Sequence, residues 1–236
     1  MRTLLMSALV FSVLTSATIS EAFNIKGGPI WQKRTGWGMT AGVGSLYCGE
    51  EICDDNRLWD TNFFGSIEGS IGGYNRFIPN LSAFFELRTA HINTSTRAAH
   101  DDSGFLFEMA GGADFHVPIF DWLDVWTGAG IGFVHLGFKA DLDDAGINDD
   151  WRHSLNGILF EFRTGADVYL FTQAPTLGLG LYMRWGLPLW LGMCYERGVV
   201  NECQERGDFD DFRDLGFDSD DTPWFYHLGA RISYGF

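Results

Sequence analysis

Trp224-Phe225-Tyr226-His227-Leu228-Gly229-Ala230-Arg231-Ile232-Ser233-Tyr234-Gly235-Phe236 closes the chain. Trp224, Tyr226, Leu228, Ala230, Ile232, Tyr234 and Phe236 share one parity; Phe225, His227, Gly229, Arg231, Ser233 and Gly235 share the other. Successive side chains of a strand point to opposite faces, so this is a strand with one apolar face. It finishes on an aromatic residue, which a soluble β-protein has no physical reason to prefer. A closing strand that turns one face to lipid does have one.

The same period-two pattern runs back to Gly36, giving eight segments separated by turn signals. The outward parity holds Trp37, Met39, Ala41 and Val43 in the first, and Trp59, Thr61, Phe63, Gly65, Ile67 and Ile71 in the second. Phe105, Phe107, Met109, Ala113 and Phe115 carry it in the fourth, and Leu177, Leu179, Leu181, Met183 and Trp185 in the seventh. Connections alternate in length. Phe77–Asn80, His116–Asp121 and Leu170–Pro175 are short and each contains proline; Cys48–Leu58, Ile92–Ser103, Lys139–His153 and Pro188–Pro223 are long and polar. This alternation predicts an all-β, eight-stranded, antiparallel up-and-down transmembrane barrel, with short turns and both termini on the periplasmic side. Closure leaves no strand edge facing lipid, which the hydrocarbon core requires because it offers backbone groups no water. A mean hydropathy of −0.03 does not oppose this, since every second residue of such a strand is polar. Aromatics gather at both predicted ends. Trp37, Phe77, Phe115, Trp122, Tyr169, Tyr234 and Phe236 lie toward the turns, and Tyr47, Trp59, Phe105, Phe133, Trp185 and Trp224 toward the loops. A soluble eight-stranded barrel would invert the pattern, with its apolar parity inside.

Residues 1–22 read as a secretory signal, with Arg2, an apolar run from Leu4 to Val13 and a small-x-small site at Ser20-Glu21-Ala22. Residues 23–35 show no period and read as a short periplasmic leading segment, and residues 36–236 as the barrel. The net charge of −15 argues against nucleic acid or an anionic membrane surface as partner.

The pattern His227-x-Gly229-x-x-Ile232-x-Tyr234-x-Phe236 resembles the C-terminal signal by which bacterial outer-membrane barrels are recognised for insertion, with His where Lys or Gln is commoner. The span from Gly36 to Phe236 is similar to the small OmpA/OmpX-like and OmpW-like barrels. The resemblance implies residence in the bacterial outer membrane, assembly by the barrel-insertion machinery through Gly229, Ile232, Tyr234 and Phe236, and contact with outer-membrane lipid and lipopolysaccharide. It implies no chemistry and leaves the oligomeric state open.

Inward parity places Glu68, Glu86, Arg88, Glu108, Glu161, Arg163, Arg184 and Arg231 in a membrane-depth band, with His227 nearby. Four acids meet four arginines, and a barrel of this size is one that side chains just fill, so a paired plug is expected. The alternative is an ion path, since charge inside a membrane often marks function. Inward glycines such as Gly42, Gly128 and Gly180 are expected to make room for large inward groups such as Tyr74, Phe84, Trp126 and Tyr182.

Asp141, Asp143, Asp144, Asp149 and Asp150 crowd one long loop, and Asp208, Asp210, Asp211, Asp214, Asp218, Asp220 and Asp221 another. A solvated surface is the plain reading; weak binding of a divalent cation is the sharper one. Asp141-x-Asp143-x-x-Gly146 starts like a calcium loop but has Arg152 where the bidentate acid belongs. No cofactor is expected otherwise. Cys48, Cys53, Cys194 and Cys203 are an even set in an exported chain and read as disulfides, local pairing joining Cys48 to Cys53 and Cys194 to Cys203, with cross-loop pairing open. His91, His100, Asp102, Ser103, His135 and His153 lie loop-side, yet no pair has nucleophile spacing, so the expectation is a non-enzymatic barrel. A small channel or porin is the alternative, and a lipid-modifying enzyme a further one.

Overall fold

A computed structural model describes residues 34–48, 66–95, 101–141, 150–171, 175–197, 200–205 and 225–236. Nine strands occur in chain order: β1 Gly36–Cys48, β2 Ile67–Ile78, β3 Leu81–Ser95, β4 Asp101–Phe120, β5 Leu123–Asp141, β6 Asp150–Phe171, β7 Thr176–Arg197, β8 Val200–Glu205 and β9 Phe225–Gly235. Strands β1 to β6 pair in sequence, β6 pairs β7, β7 pairs β9 and β9 returns to β1, which closes an eight-stranded antiparallel barrel. β8 pairs with β7 alone, outside this ring.

Register follows the sequence pattern. Ala41 lies opposite Ile71 on one side and Ile232 on the other, so the outward parity of three strands forms one continuous surface. Thirty-one large apolar side chains stand exposed on the described residues, among them Trp37, Phe85, Phe133, Phe160, Leu181 and Ile232. A soluble monomer rarely exposes one apolar patch beyond a few hundred Å²; a belt around the whole wall is a lipid-facing surface. Two outward hydroxyls within it bond to the wall itself, Thr164 donating to the Trp126 carbonyl at 2.9 Å and Thr127 to the Arg163 carbonyl at 3.3 Å. Phe120 and Trp122 stack at the turn end, and Tyr234 meets Phe236 edge-on.

Several boundaries differ from the sequence reading. The seventh strand does not stop near Trp185; β7 continues through Pro188 to Arg197 and folds back as β8. Pro188 lies opposite Leu159, and the ladder then slips, pairing Gly157 with Trp190 and Asn156 with Gly192. Pro118 is likewise inside β4 rather than in a turn, beside a slip between Pro118 and Phe120. For Pro118 the lost donor falls beside the interruption; Pro188 lies between Gly186, the last described partner of β9, and Gly192, the first of β8, on an edge of β7 that has no described ladder to lose. The long connections are also partly zipped: Asn93 pairs with Ser103, and Lys139 with Arg152. Trp59 and the acidic residues 142–149 and 206–221 lie outside the described residues.

Candidate functional site

The lumen concentrates the protein's buried charge. All nine predicted residues point inward; eight of them join one ion-pair network and Arg231 forms a separate pair with Asp167, so the lattice has more members than four acids and four arginines. Seven buried carboxylates, Glu68, Glu86, Glu108, Asp114, Asp124, Glu161 and Asp167, face six guanidiniums, Arg34, Arg76, Arg88, Arg163, Arg184 and Arg231, together with His227.

The lattice is built in tiers from the turn end upward. At the bottom, Arg34 Nη1 and Arg76 Nη1 each lie 2.9 Å from an oxygen of Asp124. Arg34 also donates to the Asp121 carbonyl and lies 4.0 Å above the Tyr169 ring. Asp124 is there because β5 starts immediately after the Asp121–Trp122 turn and its first inward residue is Asp124. His116 hydrogen-bonds Ser82 at 2.9 Å and lies 3.9 Å from Asp124. Arg34 belongs to the stretch read from sequence as a patternless leading segment; it is in fact buried against the barrel's lower mouth.

In the middle tier Arg163 donates from Nε and Nη2 to Asp114 and from Nη1 to Glu86 at 2.9 Å. Its guanidinium lies 3.2 Å above the Phe84 ring. Arg184 bridges Glu86 at 3.1 Å and Glu68 at 3.0 Å, and Arg231 Nε donates to Asp167 at 3.0 Å while covering Trp126 at 4.0 Å. In the upper tier Arg88 spans Glu108, at 3.0 Å, and Glu161. His227 Nδ1 is bonded to Glu68, and its Nε2 stands 3.6 Å from Glu108. Arg184–Glu86 joins β7 to β3, and Arg163–Glu86 and Arg88–Glu161 join β6 to β3, so these pairs tie walls across the lumen, while Arg88–Glu108 links neighbouring strands.

Bare backbone makes this packing feasible. A Cβ on Gly165 would overlap the Trp126 ring, and one on Gly180 would overlap the Asp167 carboxylate. Gly229, a member of the predicted insertion signal, lies beneath the Tyr182 hydroxyl, while Ile232, Tyr234 and Phe236 are exposed on the outer wall.

Above the charges sits a layer that the sequence reading did not identify. Leu46, Leu106, Val134, Leu136, Leu155, Leu159 and Phe225 point inward at the outer end of the ring, none more than 2% exposed. The signal was available as leucine and valine on the inward parity. Below lie two small cavities among the described residues: one of about 20 Å³ is lined by Tyr74, Arg76, His116, Asp167, Arg231 and Ser233, and another of similar volume by Arg34, Arg76, Tyr169 and Thr176. Each has room for roughly one water.

Of the loop-side candidates, the side chains of Asp102, Ser103 and His153 lie outside the described residues. His135 hydrogen-bonds Asn156 at 2.8 Å on the outer wall, and His91 is exposed on β3; His100 is outside the described residues. Among the described residues no group of three or more His, Cys, Asp or Glu could hold a metal ion, and the acidic loops proposed for a divalent cation lie mostly outside them. Cys194 and Cys203 face each other across β7 and β8 and are disulfide-bonded; Cys53 lies outside the described residues.

No protein-family model matches the chain, and no curated protein matches it. Among solved structures it is similar to Neisserial surface protein A, with 12% identity and a TM-score of 0.51 over 86% of this chain and 98% of that one. It is also similar to a major outer membrane protein from Thermus thermophilus, with 12% identity and a TM-score of 0.55 over 86% and 99% of the two chains. Identities this low speak to fold, and the fold agrees with the closed ring and its lipid-facing belt. The chain is an eight-stranded β-barrel of the bacterial outer-membrane type.

Proposed function

We propose that this protein is a sealed, non-enzymatic barrel whose cross-tied lumen holds stiff external hairpins at the cell surface, where they contact lipopolysaccharide or surface partners and support envelope integrity. The observation that carries the reading is the buried lattice of seven carboxylates and six guanidiniums, beside which the two cavities named above hold about 20 Å³ each. An open pore needs a continuous wet path, whereas paired charges packed on aromatic rings resist separation, because a buried ion deprived of its partner costs several kcal/mol.

Strand length supports the surface role. β6 and β7 each have 22 residues, about twice the 9 to 11 that cross a bilayer, and β8 is added only beyond the ring. The Cys194–Cys203 bond pins that added hairpin. Insertion through Gly229, Ile232, Tyr234 and Phe236, and loose divalent binding at the acidic loops, belong to the same reading.

The test is single-channel recording of the oxidised, refolded protein in a planar bilayer, with heat-dependent gel mobility to prove that the barrel has formed. The reading expects an electrically silent bilayer. Discrete, reproducible openings from the parent protein would make it a small porin instead.

A further inference from the structure

We infer that the permeability barrier of this barrel is the aliphatic layer at its outer end, and that the ion-pair lattice below lines a vestibule that hydrates from the periplasm. The inference rests on the sealed-lumen reading and specifies which part of the lumen does the sealing.

The layer is supplied by five of the eight ring strands. β1 supplies Leu46, β4 Leu106, β5 Val134 and Leu136, β6 Leu155 and Leu159, and β9 Phe225, all buried. It is packed as a core: Leu159 Cδ1 would stand 3.0 Å from a Cβ on Gly186, and Trp190 meets Phe225 edge-on at 6.5 Å. Neither cavity is lined by the aliphatic layer: the inner one lies within the lattice, between Glu86, Asp114, Arg163, Asp167 and Arg231, and reaches Arg76 and Ser82, which flank the Pro79–Asn80 turn, while the other lies around Arg34 and Thr176 at the mouth. The inner cavity is lined by two buried polar atoms without a protein partner, His116 Nδ1 and Ser233 Oγ. Buried polar groups in such a position are satisfied by water, and about 20 Å³ is enough for one.

The two halves of the lumen present different obstacles to an ion. In the lattice, carboxylates and guanidiniums can replace hydration water one contact at a time. The aliphatic layer offers no donor or acceptor at all, so an ion must be stripped with nothing in exchange, and a constriction lined by hydrocarbon expels water. The layer is therefore the higher barrier, and weakening the lattice alone should leave it standing.

The experiment compares three proteins in planar bilayers, each first shown to be folded by heat-dependent gel mobility: the parent, Arg231→Ala, and Leu136→Thr combined with Leu159→Thr. Arg231→Ala enlarges the inner cavity and frees Asp167 without touching the aliphatic layer. The expected result is silence from the parent and from Arg231→Ala, and loss of that silence in the threonine variant. Openings from folded Arg231→Ala, or silence from the folded threonine variant, would overturn the inference. Should the paired variant fail to fold, Leu106→Thr replaces it with the same two outcomes. Openings from the parent would instead sink the sealed-lumen reading, so the two failures are distinguishable.

Discussion

Replacing Arg163 by Met tests the lattice where its wiring is most unequal. Arg163 donates twice to Asp114 and once to Glu86, and both carboxylates are buried. The consequences differ for the two. Glu86 keeps Arg184 at 3.1 Å, whereas Asp114 loses the guanidinium that carries its ion pair. Methionine still covers the Phe84 ring, so lost packing is a minor part of the effect. Stranding one buried charge costs about 3 to 5 kcal/mol. Adding Asp114→Asn removes the stranded charge and should recover on the order of 2 kcal/mol, making the pair strongly non-additive. Urea unfolding in lipid vesicles, followed by tryptophan fluorescence and by gel mobility, measures all four corners of the cycle. A single variant within about 1 kcal/mol of the parent would show that the pairing contributes little. A strictly additive double variant would refute the claim that the cost lies in Asp114.

Gly165→Val places atoms in space that the Trp126 ring already fills; overpacking of this kind costs about 3 kcal/mol or more, and the heat-modifiable band should be lost or sharply destabilised. Arg34→Ala removes one lower-mouth tie to Asp124, which keeps Arg76 at 2.9 Å, and should lower stability by about 1.5 kcal/mol while leaving the bilayer silent, as checked by unfolding and recording on one preparation. Reduction of the Cys194–Cys203 bond, which closes a separation of nine residues, should cost the hairpin about 2 to 3 kcal/mol. Limited proteolysis should then cut between β7 and β8 while the far-ultraviolet barrel signal stays unchanged. Deleting Phe236, exposed on the outer wall, should slow assembly by the insertion machinery in vitro more than spontaneous refolding into detergent.

The lumen was legible because lipid imposes strict alternation: once Leu228 and Ile232 are assigned outward, His227 and Arg231 must face in. Asp114, Asp124, Asp167 and Arg76 obey the same parity but lie nearer the turns than the mid-depth band in which a plug is expected. Arg34 was not legible. It precedes β1, follows no period, and its place depends on β5 and β6 arriving beneath it. The aliphatic layer escapes a sequence reading for a different reason: an inward leucine contradicts the polar-in expectation and looks like noise in one strand, becoming a layer only when β1, β4, β5, β6 and β9 are brought to one level. Strand ends are under-read where the wall leaves the bilayer. Beyond that point alternation is no longer enforced, and the proline at position 188 looks like a stop, because the gap between the β9 and β8 ladders in which it sits is visible only in the register of β7.

Nuclear magnetic resonance of the arginine guanidinium groups in the micelle-embedded protein tests the central claim that the lumen's charges are held in fixed pairs. Arg88, Arg163 and Arg184, all buried and bonded to carboxylates, should give separate Nη and Nε proton signals. A single averaged signal would mean that these groups rotate freely, and the fixed pairing would be contradicted.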